Sequence, residues 1–170
     1  MSKIIISSDS TSDLSAELKE KYGNRISIRI FGSDPKRKMA DLLFFKACGM
    51  DFEYINYGLL NPKQTSLLLA QTDVFLDLST FQAMGLTAME AMCCGCATVV
   101  PVHGGTSSFA VNNENALVID TLQEDVCLEA AEKLIDDIQL RTELSRNAFM
   151  SMCNFYPEKV AYNILSLIRE

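Results

Sequence analysis

Short runs of β-branched and aromatic residues alternate with longer stretches whose apolar positions recur every three or four residues. The short runs predict strands over 4–6, 26–31, 52–56, 74–78, 97–102 and 116–119. Between them, helical spacing predicts a segment through Leu14 and Leu18 that stops at Gly23, segments over 36–48, 61–72 and 85–94, and a short helical turn over 107–111. Two capping boxes are readable, Asn61-Pro62-Lys63-Gln64 and Thr121-Leu122-Gln123-Glu124. Each sets a side-chain acceptor before a free backbone N–H, with a returning Gln or Glu three residues on. From the second box the chain reads as helical to its end, with one break over 154–157 and a final helix carrying Val160, Ile164 and Ile168 on one face.

Strands interleaved with helices in this way predict an α/β fold, an open, mostly parallel six-stranded sheet with helices on both faces. The run 97–102 has no charged side chain and reads as a central strand buried on both faces. With no internal repeat, low-complexity tract or long linker, residues 1–170 are read as a single domain.

Composition narrows the function classes. Hydrophobic residues at 48% against 22% charged exclude a disordered chain. The net charge is −7, and no Lys or Arg occurs between Lys63 and Lys133, which argues against a nucleic-acid or anionic-membrane partner. An anion bound in that middle region would have to be held by backbone amides or helix ends. No apolar run is long enough to cross a bilayer, and Met1-Ser2-Lys3 does not open a signal peptide. The six cysteines include the spacing Cys93-x-x-Cys96, which could be half of a zinc site or a redox pair. The only histidine, His103, brings no second ligand pair, and the cysteines close a helix instead of opening one. They read as small core residues of a reduced, cytoplasmic protein, with no metal site expected.

In an open α/β sheet, ligands sit beyond the carboxyl ends of the strands, so the loops 7–12, 79–85 and 103–108 compete. There is no GxGxxG and no Walker motif, which disfavours a dinucleotide oxidoreductase or a P-loop NTPase; a receiver domain would need more carboxylates than Asp9 after the first strand. The most informative stretch is 73–100. There Gly85 stands where a helix begins, the amides of Leu86 and Thr87 are free at its N-terminus, and Glu90 follows five residues on, about 7–8 Å along the axis. A diphosphate at the helix start and a ribose at Glu90 would match that separation. A surface glutamate after a turn glycine is the alternative reading of the same residues.

The run Asp73-Val74-Phe75, Gly85 and Glu90-Ala91-Met92, followed by Gly104-Gly105 and Glu114-Asn115-Ala116-Leu117-Val118, resembles the donor-binding signature of GT-B glycosyltransferases of the family 4, or group 1, kind. Leu134-Ile135-Asp136-Asp137 and Leu140-Arg141 resemble the family's closing segment, so the resemblance covers roughly 26–170. It implies the Rossmann-like C-terminal half of a GT-B fold, with the acceptor half absent. Donor contacts would come from Gln82, Met84, Gly85, Leu86, Thr87 and Glu90. No catalytic residue is assigned. The implied partners are a nucleotide-sugar donor and an N-terminal acceptor-binding domain, in cis or as a separate chain. The implied reaction is metal-independent sugar transfer with retention, in polysaccharide or glycoconjugate assembly, with no cofactor beyond the donor substrate.

Three positions depart from the family pattern. Gln82 stands eight residues before Glu90, where the family has a sugar-contacting Glu; Ser108 replaces a second Glu; and 7–18 has no basic residue for the diphosphate. Lys36-Arg37-Lys38 follow the second strand instead, as a solvated helix start or as phosphate contacts. A non-catalytic Rossmann-like binding module and half of a nucleotide-sugar epimerase are the competing functions.

Overall fold

A computed structural model describes residues 3–8, 14–30, 54–56 and 59–168. Strands β1 (Ile4–Ser8), β2 (Ile26–Ile30), β3 (Tyr54–Asn56), β4 (Val74–Leu76), β5 (Ala97–Pro101) and β6 (Leu117–Ile119) form one sheet in the order β3-β2-β1-β4-β5-β6. All five ladders are parallel, for example Ser7 opposite Phe75 and Val99 opposite Leu117. Sequential strands therefore run outward in both directions from β1, and the order reverses between β1 and β4. In an open parallel sheet that reversal leaves a crevice beyond the carboxyl ends of those two strands.

The helices among the described residues are α1 (Leu14–Tyr22), α2 (Pro62–Leu69), α3 (Leu86–Cys93), α4 (Glu124–Asp136), α5 (Ile138–Met152) and α6 (Pro157–Ile168). Alternation within the central strands separates two cores. Val74, Leu76 and Val99 meet α1 and α4 through Leu18, Ala131 and Leu134. Phe75 and Val100 point the other way, against Leu69 of α2 and Ala88 and Met92 of α3. All five residues of β5 are buried, as expected for a strand packed on both faces. Helix α5 joins the layers, with Leu144 in the first core and Ala148 and Met152 in the second.

The first capping box forms as read. Asn61 Oδ1 accepts from Gln64 N–H at 2.9 Å, and Gln64 Oε1 accepts from Asn61 N–H at 3.0 Å. The second does not. Helix α4 starts with Gln123 as N-cap and no side-chain cap, while the Thr121 hydroxyl donates to Ser79 O at 2.7 Å, across to the loop after β4. A tertiary acceptor outcompetes the local one. Helix also does not continue unbroken from there to 154. Asp137 starts α5, its side chain accepting from Leu140 N–H at 2.9 Å, and Arg141 Nη1 donates to the carbonyls of Leu134 and Ile135 at 2.6 and 3.1 Å. Both ends of the break are satisfied, so it costs few hydrogen bonds.

Strand and helix ends elsewhere differ from the expected ones by a few residues, and the short turn expected over 107–111 is a 3₁₀ turn at Gly105–Ser108. The helix expected over 36–48, with Lys36-Arg37-Lys38, lies outside the described residues. The face of α6 with Val160, Ile164 and Ile168 is exposed. No described helix is long and apolar enough to cross a membrane.

Candidate donor site

Beyond the sheet, the loops after β4 and β5 are tied together. Gln82 N–H donates to His103 O at 3.3 Å, Gly105 N–H donates to Gln82 O at 2.8 Å, and Gln82 pairs with Gly104 in an isolated parallel bridge. Two of the three competing loops are thus one structure; the loop after β1 is described only as far as Ser8. A Cβ on Gly104 would lie 1.9 Å from Gln82 O, and one on Gly105 would lie 2.0 Å from Ala83 O. The Gly104-Gly105 pair is required by backbone against backbone, not only by the turn.

That clamp sets the start of α3. Gly85 is its N-cap at φ 78°, ψ 42°, a left-handed conformation that favours glycine. A Cβ there would also press on the Phe109 ring and on Thr106 Cγ2, each at 3.2 Å. Thr106 is held in turn by its hydroxyl donating to Pro101 O at 2.6 Å. No side chain caps α3, and Met89 N–H is the first to reach a helix carbonyl, that of Gly85 at 3.0 Å. The N–H groups of Leu86, Thr87 and Ala88 have no partner among the described residues. An uncapped helix start of this kind attracts an anion without any basic side chain.

The predicted contact residues divide between two places. Leu86 and Glu90, one helical turn apart, line a groove of about 370 Å³ between α2 and α3, with Pro62 and Ser66 on its other wall. Glu90 is exposed and has no hydrogen-bond or ion-pair partner among the described residues. Gln82 belongs to a separate polar cluster at the carboxyl end of β4, and no hydrogen bond joins it to Glu90. Met84 is exposed and Thr87 half-buried. Ser108 donates to Gly105 O at 2.7 Å within its own turn.

Asp77 and Ser79 share the polar cluster of Gln82 and are not among the residues expected from the sequence, and Thr121, read there as a helix cap, reaches the cluster's loop through Ser79 O. The signal for Asp77 was available: a carboxylate inside Val-Phe-Leu-Asp-Leu must find donors when the run is buried. Across the rim, Asp120 accepts from Gln123 Nε2 at 2.8 Å and Leu122 N–H at 3.1 Å, and lies 3.6 Å from His103 Nε2. Those two hydrogen bonds, helped by His103, hold its carboxyl below the usual carboxylate range.

The expectation that the cysteines pack as small core residues holds for Cys96 and Cys127 but not for Cys93, which is exposed at the end of α3, while Cys94 and Cys153 are half-buried. Burial pushes the thiols of Cys93 and Cys94 up, and Cys96, fully buried and donating to Leu69 O at 3.3 Å, is pushed well above the ordinary thiol range. Among the described residues no group of three or more His, Cys, Asp or Glu is placed to hold a metal. Alkylation at neutral pH, read by peptide mass spectrometry, is expected to label exposed Cys93 before buried Cys96 and Cys127. Buried Cys96 and Cys127 should label only on unfolding; early labelling of Cys96 would contradict its packing.

The profile of the family described as "Glycosyl transferases group 1" matches residues 11–150, most of the chain. The chain belongs to this glycosyltransferase family. Among curated members, a D-inositol 3-phosphate glycosyltransferase of Arthrobacter sp. (strain FB24) is 26% identical over 137 residues, covering 80% of this chain and 32% of the relative. Sucrose synthase 2 of Oryza sativa subsp. japonica is 36% identical over 63 residues, covering 37% of this chain and 7% of that protein. In fold, the chain is similar to Anabaena Alr3699/HepE, solved in complex with UDP and glucose, with a TM-score of 0.79 at 15% identity. That match covers 98% of this chain and 48% of the other. The group 1 domain described here is thus the Rossmann-like half of a GT-B fold, and it spans about half or less of the three proteins just named.

Proposed function

We propose that this domain binds the nucleotide-sugar donor of a retaining, metal-independent glycosyltransferase that works in the cytoplasm on polysaccharide or glycoconjugate assembly. The observation carrying this reading is the start of α3, an uncapped helix N-terminus opened by left-handed Gly85 beside the strand-order reversal, with unpartnered Glu90 one turn beyond Leu86. The free amides of Leu86 and Thr87 would receive the donor diphosphate and stabilise the charge that grows on it as the sugar departs. Glu90 would accept from the ribose hydroxyls, and Gln82 would face the sugar. Acceptor binding belongs to the other half of the enzyme, so the domain alone should not transfer sugar.

Calorimetric titration with a panel of nucleoside diphosphates tests the reading. At least one is expected to bind with a dissociation constant of roughly millimolar or tighter. Assays of the purified chain with sugar nucleotides should show no transfer. Absence of binding across the panel would favour a non-catalytic module, a reading that the uncharged Gln82 and the lack of basic residues over 7–18 also support.

A further inference from the structure

Asp77 is fully buried at the carboxyl end of β4. Its Oδ1 accepts from the Ser79 hydroxyl at 2.5 Å, Ser79 N–H at 3.2 Å and Gln82 Nε2 at 3.3 Å, while its enclosed Oδ2 has no donor among the described residues. A carboxylate held this way is costly to fold around, and three local donors only partly offset that cost. Gln82 Nε2 also donates to Ser79 Oγ at 2.8 Å. The result is a directed chain, from the Gln82 amide to the Ser79 hydroxyl to the Asp77 carboxylate, and successive bonds in such a chain reinforce one another.

The direction of the chain has a consequence for Gln82. Asp77 Oδ1 and Ser79 Oγ both accept from Gln82 Nε2, so the amide turns its nitrogen inward. Its Oε1 is then left outward on a half-buried side chain, with no partner among the described residues. The main chain cannot drift, because both Gln82 N–H and Gln82 O are bonded to the loop after β5. A glutamate in this place would set a carboxylate oxygen where Nε2 stands, 3.3 Å from Asp77 Oδ1. Asp77 therefore accounts for an amide, and not an acid, at position 82.

We propose that Asp77 is a positioning residue of the donor site: through Ser79 it locks the Gln82 amide so that Oε1 is a fixed acceptor for a hydroxyl of the donor sugar. The claim rests on the proposed donor-binding function for its ligand, and on the observed hydrogen-bond chain for its geometry.

Two measurements on the 170-residue chain separate these parts. The first is a thermal-unfolding cycle with no ligand. Gln82→Glu is expected to lower Tm by roughly 5 °C or more, because it packs like charges together. Adding Asp77→Asn removes one charge and lets the chain run in reverse, from Asn to Ser79 to Glu. The double variant is expected to recover at least half of that loss, even though the 3.2 Å bond from Ser79 N–H is given up. Additive losses would show that the two residues are uncoupled and would overturn the proposal.

The second is the affinity ratio of a sugar nucleotide to its bare diphosphate, UDP-glucose to UDP and GDP-mannose to GDP, followed by ligand-observed NMR. Gln82→Ala and Asp77→Ala are each expected to lower the ratio about three- to tenfold and leave the bare diphosphate unchanged. Asp77→Leu, which likewise removes the acceptor, serves if the alanine variant does not fold. A ratio lowered by Gln82→Ala but by neither Asp77 variant would overturn the positioning role alone. A ratio unmoved by Gln82→Ala, or no binding of either ligand, would overturn the sugar contact and the proposal with it, even if the thermal cycle showed coupling.

Discussion

Gly104→Ala is expected to cost the domain about 3 kcal/mol or more, a large share of the roughly 5–15 kcal/mol by which a domain is stable. Two effects add. Gly104 sits at φ 116°, ψ −151°, a region open essentially to glycine, where a side chain costs on the order of 1–3 kcal/mol. Its Cβ would also stand 1.9 Å from Gln82 O and 2.9 Å from Gln82 C, and the obstacle is backbone, which cannot rotate away. Relief requires the two loops to part, with loss of the bonds Gly105 N–H to Gln82 O and Gln82 N–H to His103 O. Gly95→Ala separates the two effects. Gly95 is also left-handed, at φ 84°, but its Cβ would meet nothing closer than Ser145 Oγ at 3.9 Å. It should lose only the conformational term, about 1–2 kcal/mol. Urea unfolding of both variants decides the matter; equal losses would mean that the contact with Gln82 contributes nothing.

Glu90→Ala should behave in the opposite way, leaving the fold intact and weakening ligand binding. Glu90 is exposed and unpartnered, and Glu and Ala differ by a few tenths of a kcal/mol in helix propensity, so Tm should barely move. If its carboxylate accepts from both ribose hydroxyls, its removal costs about 1.5–3 kcal/mol, roughly ten- to hundredfold in affinity for a nucleoside diphosphate. Glu90→Gln keeps an acceptor and should lose less. Calorimetry on the three proteins checks this, and identical affinity in wild type and Glu90→Ala would remove Glu90 from the site.

Much of the fold is legible in the residues themselves because the signals are local. The runs at 74–78 and 97–102 read as strands and fold as Val74–Leu76 and Ala97–Pro101 with every residue buried, and Asn61-Pro62-Lys63-Gln64 closes its capping box within four residues. Gly85 and Glu90 were findable for the same reason, since one helix sets their spacing. The local signal misled where a distant group offered a better bond. Thr121 has the position of a capping residue, yet its hydroxyl goes to Ser79 O, 42 residues away in sequence.

By itself the sequence determined an α/β chain with parallel strands, a helix start at Gly85 and a resemblance to group 1 glycosyltransferases, carried by periodicity, caps and a series of short motifs in the family's order and spacing. Only the tertiary structure decided why Gly104 and Gly105 must be glycines, because the atoms that exclude a side chain belong to Gln82 and Ala83 on another loop. It also decided which way the Gln82 amide faces. Composition does not record whether Asp77 is exposed or enclosed, and a carboxylate dictates its neighbours' hydrogen bonds only once folding has taken it out of water.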